Sequence, residues 1–338
     1  MAKFYDTGDL NKVIELCKEA ELVVLYNLDV LKSQVALGLP NQVKIIWRFF
    51  GYEFYKRMKG EVLSDKTRSM LSREQKKSVK EYIKDLLRPL YHNIKYGDTV
   101  DNLFDRAVDR IDYMLVFSKQ EYNYLLQHWN TLPEHIILPI LTGNFNSECP
   151  KIDLRSKSNK VVLGNSRNIF NNHIDVVEKI ESAEKKNEYD FLLLFNYGVE
   201  GVYPNAVRAA VAGKTYFQLI EEYIPRNDFK RFYDDISALV INGYRQMAMG
   251  NVFLALKRGV KVYLNRKNVM MDWLLDEGIQ VFSIDNLVSD LENDKIVLQE
   301  EVAMHNLRKL NVLYKNYTQI EFQEEVYGKV RDLNMKEQ

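Results

Sequence analysis

The chain has 338 residues, 46% hydrophobic and 28% charged, with Lys plus Arg equal to Asp plus Glu at 47 each. That length suits two domains, and the balanced charge gives no argument for a nucleic-acid partner. Only Cys17 and Cys149 are present, which excludes a Cys-x-x-Cys zinc site and a disulfide framework and fits a reducing compartment. No apolar run approaches the roughly 18 residues of a membrane span, and the opening "MAKFYDTGDLNKV" lacks the charged-then-apolar pattern of a signal peptide. The expectation is a cytosolic chain that, where it meets a membrane, lies on it rather than crossing it.

In chain order, "ELVVLYN" (21–27), "QVKIIWRFFG" (42–51), "YMLVFS" (113–118) and "HIILPI" (135–140) read as strands, with helical spacing in "LDVLKSQVALG" (28–38) and "KQEYNYLLQHW" (119–129). A charged insert interrupts them: residues 56–88 hold eleven Lys or Arg against five Asp or Glu. The Asn/Ser/Gly/Pro-rich stretch 143–160 reads as an interdomain linker. Beyond it the pattern is regular. "KVVLG", "DFLLLFNYG", "TYFQLI", "SALVIN", "VKVYLN" and "QVFSI" alternate with amphipathic stretches, and the chain is helical from about residue 295. Such β-α-β repetition predicts a doubly wound parallel sheet with a ligand crevice at the carboxyl ends of its strands. The expected domains are 1–145, carrying a basic helical insert at 56–96, and 158–338.

Two stretches carry anion-binding chemistry. In "VVLGNSRNIFNNHIDVV" (161–177) a strand turns through small and amide residues into a helix starting near Asn171. The free amides and dipole at a helix start suit a phosphate, although Asn and Ser could equally serve only as caps there. Gly164 would let the backbone approach a ligand closely, and His173 alone reads as a structural hydrogen-bonder. In "INGYRQMAMGNVFLALKRG" (241–259), Arg245 offers a guanidinium fork to phosphate oxygens and Gly250 offers space at a second helix start. Neither stretch is a Walker loop or a dinucleotide Gly-x-Gly-x-x-Gly. Asp-x-Asp and His-Glu-x-x-His are both missing from the sequence, so a metal-independent site is expected.

The third stretch, "WRFFGYEFYKRMKG" (47–60), surrounds Glu53 with rings and follows it with cations. Glu53 could be a general base walled by Trp47, Phe50, Tyr52 and Tyr55, or a surface carboxylate pairing with Lys56 or Arg57. The basic insert likewise has two readings, a contact with an anionic membrane or a solvated helix laced with Glu–Lys pairs.

With Trp47-x-x-Phe50-Gly51-x-Glu53-x-Tyr55, "LGNSRNIFNNH", "YG" at 197–198, "YRQMAMGN" and "VYLNRKN" in this order, the chain resembles the bacterial TDP-Fuc4NAc:lipid II transferases (the 4-α-L-fucosyltransferase family) over roughly residues 20 to 285. The resemblance implies an α/β, GT-B-like fold of two Rossmann-like domains facing a cleft. It implies transfer of a 4-acetamido-4,6-dideoxygalactose-type sugar from a TDP-linked donor to a polyprenyl-linked saccharide at the inner face of a bacterial plasma membrane, with no cofactor beyond that nucleotide sugar.

By the same resemblance Gly164, Asn165, Ser166, Asn172, His173, Tyr197, Gly198, Arg245, Gln246, Gly250 and Asn251 fall on donor-binding positions. Glu53 falls on an acidic position where the family generally has Asp, with Trp47, Phe50, Gly51 and Tyr55 on the acceptor side. Family members carry a further strand before the matching part, so a smaller N-terminal sheet is expected here. Tyr203, Asn205 and Asp228 are further candidates for donor contact from loops. A sugar-nucleotide epimerase on the same scaffold and a non-catalytic nucleotide-sugar or polyanion binder are the competing readings; a nucleic-acid partner is not expected.

Overall fold

The computed structural model describes residues 9–74, 79–137, 152–318 and Gly328. Cys149, half of the expected linker, the end of "HIILPI" and the C-terminal stretch apart from Gly328 lie outside them. The chain divides into two units. The first takes the described residues 9–56 and 79–137, the second 57–74 and 152–318. Residues 57–74, expected in the insert of the N-terminal domain, therefore group with the second unit.

The first unit is built on a four-stranded parallel sheet in sequential order: β1 (Leu22–Tyr26), β2 (Lys44–Arg48), β3 (Tyr113–Val116) and β4 (Glu134–Ile137). Parallel neighbours need a crossover, and the connections supply helices. The helix Val30–Gly38 starts where the Asp29 carboxylate accepts the Lys32 amide at 3.0 Å, and Val100–Arg110 where the Thr99 hydroxyl accepts the Asn102 amide at 3.2 Å. The second of these buries Leu103, Phe104, Ala107 and Val108, a stripe at i, i+1, i+4 and i+5. Strand β2 is buried at all five positions, as a parallel strand covered on both faces should be.

The second unit carries a six-stranded sheet: β5 (Lys160–Leu163), β6 (Asp190–Leu194), β7 (Phe217–Ile220), β8 (Ile236–Ile241), β9 (Lys261–Leu264) and β10 (Phe282–Ser283). All pairings are parallel, in the order β10-β9-β8-β5-β6-β7. Counted within the unit this is 3-2-1-4-5-6, the doubly wound order. Its interior strands are β-branched and leucine-rich; "ISALVI" of β8 is buried at every position. Each such Val, Leu or Ile contributes roughly 1.5–3 kcal/mol through burial. The core on one face joins Val161, Leu163, Phe191, Leu193, Ala238 and Val240 to Val176, Val177 and Ile180 of the helix His173–Glu181.

The order reverses between β5 and β8, which run side by side while their connections leave in opposite directions. A crevice opens at the carboxyl ends of strands at such a point. Those ends are Leu163 and Ile241.

Candidate active site

Three loops leave the carboxyl ends of β5, β6 and β8, and these loops with the starts of the helices His173–Glu181 and Met249–Lys257 hold the eleven positions that the resemblance matched to donor binding. After β5, Gly164 has φ +66 and donates its amide to the Val240 carbonyl at 2.9 Å, tying the loop to β8. A Cβ at Gly164 would stand 2.5 Å from His173 Nε2 and 3.0 Å from Asn171 Oδ1. Only glycine fits both that backbone and that space.

The loop is then folded around Asn171, which is almost fully buried. Its Oδ1 accepts the Asn165 amide at 3.2 Å, and its Nδ2 donates to the Ser166 carbonyl at 2.9 Å. Asn165 Nδ2 donates to the Tyr197 hydroxyl at 2.6 Å, joining this loop to the one after β6. Arg167 likewise donates its amide to the Tyr197 carbonyl at 3.0 Å. Gly198, at φ +120, leaves the space that the Arg167 side chain takes.

Asn172 is a clamp. It adopts the left-handed conformation that asparagine tolerates, φ 45, and is fully buried. Its Oδ1 accepts the Ser64 amide at 2.9 Å, and it exchanges hydrogen bonds with Asn242: Asn172 Nδ2 to the Asn242 carbonyl at 3.2 Å, Asn242 Nδ2 to the Asn172 carbonyl at 3.1 Å. Asn265 Nδ2 donates to Asn242 Oδ1 at 2.8 Å. One chain of asparagines thus spans the ends of β5, β8 and β9.

His173 opens the following helix. Its backbone amide donates to the Tyr203 hydroxyl at 2.7 Å, and that hydroxyl lies 3.0 Å from His173 Nδ1. The Tyr203 hydroxyl thus meets both the backbone amide and the Nδ1 of His173. Nε2 is buried and makes no hydrogen bond. Burial holds the imidazole neutral, its pKa lowered to about 3. Tyr203, expected as a loop contact, is instead a buried core residue that orients this ring. Asn205 accepts from Arg208 at 3.0 Å, and Asp228 lies exposed in the short helix Arg226–Phe229.

After β8 the chain passes Asn242 and Gly243 to Arg245, whose guanidinium lies 4.8 Å from the centre of the Phe170 ring and donates to the Gln246 carbonyl at 3.1 Å. Gln246 is buried against Met249, and Asn251 donates to the Tyr233 hydroxyl at 3.1 Å. The helix Met249–Lys257 starts from Ala248 at φ 60 without a side-chain cap. A Cβ on Gly250 would meet nothing within 4 Å. Amides at this helix start, an arginine just before it and open space at its second residue together suit an anionic group.

In the first unit, β2 ends at Arg48 and the short helix Tyr52–Tyr55 begins after Gly51, which takes φ 93. The turn buries Glu53 to 4% exposure, which overturns the reading of it as a surface carboxylate. Its carboxylate faces the Trp47 indole N–H and the amides of Leu28, Phe50 and Glu53 itself, none in ordinary hydrogen-bond geometry. Desolvation outweighs these dipoles and raises its pKa.

The rings divide in two. Trp47 and Tyr55, expected as acceptor-side walls, are fully buried: Trp47 packs on Phe49, Phe54 and Phe104, and the Tyr55 hydroxyl donates to Glu121 at 3.1 Å. Phe50 and Tyr52 are exposed, as is Tyr26 at the end of β1, whose ring lies 6.3 Å from that of Phe50. Tyr26 and the positioning residues Asn171 and Asn242 escaped the sequence reading. Tyr26 is the last residue of a strand, which is the available signal.

The architecture is the GT-B-like one expected: an α/β chain with two parallel, Rossmann-like sheets. No protein-family model and no curated protein matches the sequence. Solved structures do match the fold. The pneumococcal O-GlcNAc transferase GtfA, solved with UDP and GlcNAc, superposes with a TM-score of 0.57 at 11% identity over 96% of this chain; this chain spans 59% of GtfA's length. Sucrose-phosphate synthase from Thermosynechococcus elongatus gives 0.61 at 11% identity, covering 96% of this chain and 78% of that one. WaaG, a glycosyltransferase involved in lipopolysaccharide biosynthesis, gives 0.52 at 14% identity, covering 92% and 77%.

Proposed function

We propose that the chain is a glycosyltransferase that takes its sugar from a nucleotide diphosphate held by the second unit. One observation carries this reading: the loops expected to bind the donor all emerge at the strand ends around the β5/β8 switch point, where a doubly wound sheet binds its ligand. The fold neighbours, among them an enzyme solved with UDP, support the same class. Arg245 and the amides of the helix Met249–Lys257 would neutralise the diphosphate, and the loop 164–166 with Tyr197 and Gly198 would take the sugar.

The resemblance to the Fuc4NAc transferases supports a TDP-linked 4-acetamido-4,6-dideoxy sugar as donor and a polyprenyl-linked saccharide as acceptor. Glu53 is the base of this reading. A buried carboxylate without a hydrogen-bonding partner and with a raised pKa is a better proton acceptor for a sugar hydroxyl than a solvated one. The exposed rings of Tyr26, Phe50 and Tyr52 offer faces on which an acceptor sugar can stack.

Calorimetric titration with TDP, UDP and GDP, beside Arg245→Ala, tests it. TDP should bind selectively, and loss of a charge-assisted hydrogen bond, about 1.5–3 kcal/mol, should weaken it roughly 10- to 150-fold. Absence of binding to any nucleotide would remove the basis of the proposal. Consumption of TDP-sugar without acceptor would favour the epimerase reading.

A further inference from the structure

The helix Val79–Tyr96 in the first unit carries five large apolar side chains in solvent: Leu86, Leu87, Leu90, Tyr91 and Ile94, between 51% and 78% exposed. A helix of a globular protein normally turns its apolar stripe to the core, as Val100–Arg110 does with Leu103, Phe104, Ala107 and Val108. This one does the reverse. At about 100° per residue the five positions fill one arc of roughly 140°.

Three cations border that arc. Lys84, Arg88 and Lys95 fall together within about 60° of its Tyr91 edge on the same wheel. Lys95 rides over the rings of Tyr91 and Tyr96 at 5.7 and 5.0 Å. A long cation laid along an aromatic ring at the border of an apolar stripe is the arrangement of a helix lying in a membrane interface: the stripe enters the acyl boundary while ammonium and guanidinium groups stay at the headgroups. A protein partner would also accept the leucines. The cations on the flank, in a chain whose overall charge is balanced, give an anionic surface the better complement. The helix is too polar to cross a bilayer, and among the described residues no helix meets the length and apolarity of a span.

We propose that the helix Val79–Tyr96 is a docking face for an anionic lipid bilayer, lying flat with Leu86, Leu87, Leu90, Tyr91 and Ile94 inserted and Lys84, Arg88 and Lys95 against the headgroup phosphates. The inference does not depend on the transferase reading, because neither the donor loops nor Glu53 belongs to this helix.

The test is co-sedimentation of the full chain with vesicles of phosphatidylcholine alone and of phosphatidylcholine with 30% phosphatidylglycerol, without nucleotide. Binding is expected to the anionic vesicles and to fall with salt. A cation near such a surface contributes about fivefold in affinity. Lys84→Glu with Arg88→Glu and Lys95→Glu should therefore weaken binding by at least about a hundredfold. Leu87→Ser with Leu90→Ser should abolish it, while circular dichroism and the melting temperature stay as in the parent. Tyr91→Trp should show a blue-shifted emission on anionic vesicles alone. Equal binding to both vesicle types, or none to either, overturns the proposal. So does a concentration-dependent dimer in solution that Leu87→Ser with Leu90→Ser dissociates, which would make the stripe an interface between copies of this chain.

Discussion

Gly164, in the loop after β5, and Gly250, at the start of the helix Met249–Lys257, should respond oppositely to the same methyl group. Gly164→Ala forces an L residue into φ +66, which costs roughly 1–2 kcal/mol. It also drives a Cβ to 2.5 Å from Nε2 of a fully buried His173 and 3.0 Å from Oδ1 of Asn171, where overpacking costs roughly 1–3 kcal/mol more. Neither neighbour can swing away: Tyr203 holds the ring through Nδ1, and Asn165 and Ser166 hold the amide. The sum is about 2–5 kcal/mol, which in a unit of this size lowers its melting temperature by between about 4 and 20 °C. Gly250→Ala meets open space at an ordinary helical φ, so its melting temperature should hold or rise slightly, since alanine is the better helix former by up to about 1 kcal/mol. Nucleotide affinity should nevertheless fall if phosphate approaches the backbone there. The assay is a thermal melt of parent and both variants, followed by titration with TDP. A Gly164→Ala chain melting with the parent would refute the reasoning, because the clash and the strain would then have no effect on the fold.

Three further predictions follow the hydrogen bonds and titrations. Tyr203→Phe strips the partner from both the His173 amide and Nδ1 in a buried place and should cost about 1–3 kcal/mol, read as a lower urea midpoint. His173 is held neutral with a pKa near 3, so the unfolded chain binds a proton that the folded chain refuses; stability should fall by about 1.4 kcal/mol per pH unit as the pH drops from about 6.5, and His173→Gln should flatten that slope in denaturation series. The shift at Glu53 has the opposite sign. Its folded pKa is raised, so ionisation within the fold costs stability as pH climbs from the ordinary glutamate range through the raised value, and Glu53→Gln should melt no lower than the parent at neutral pH while losing transfer activity; a variant with parental turnover would remove Glu53 from the chemistry.

The alternation of β-branched runs with amphipathic stretches was enough to read both sheets, because parallel strands buried on two faces are nearly continuous apolar runs and their crossovers must be helices. The position of the loops expected to bind a donor was legible for the same reason: they stand at the ends of those runs. The division of the rings was not. Residues 47 to 55 leave a strand at Arg48, turn at Gly51 and enter a helix, so neither a period of two nor one of 3.6 holds through them, and Phe50 goes out while Phe54 and Tyr55 go in. Asn171 and Asn242 were invisible as positioning residues, since an asparagine near a glycine reads as a cap or a turn until its partners across the loop are seen. The exposed face of Val79–Tyr96 has the same pattern as a core-facing helix, and only burial separates the two.

The grouping of residues 57–74 with the second unit bears on how that unit can be made. Ser64 supplies the amide that Asn172 accepts and a hydroxyl 2.5 Å from Asp175, although more than a hundred residues separate them along the chain. A fragment of the second unit cut to start after the expected linker would lose the Ser64 amide from the Asn172 clamp and with it part of the lock on the β5/β8 crevice. During synthesis the helix Asp65–Glu74 is made long before the strands of the unit it belongs to. Exchange of this half between related chains would have to carry two separate pieces of sequence, so the second unit is discontinuous as a unit of inheritance.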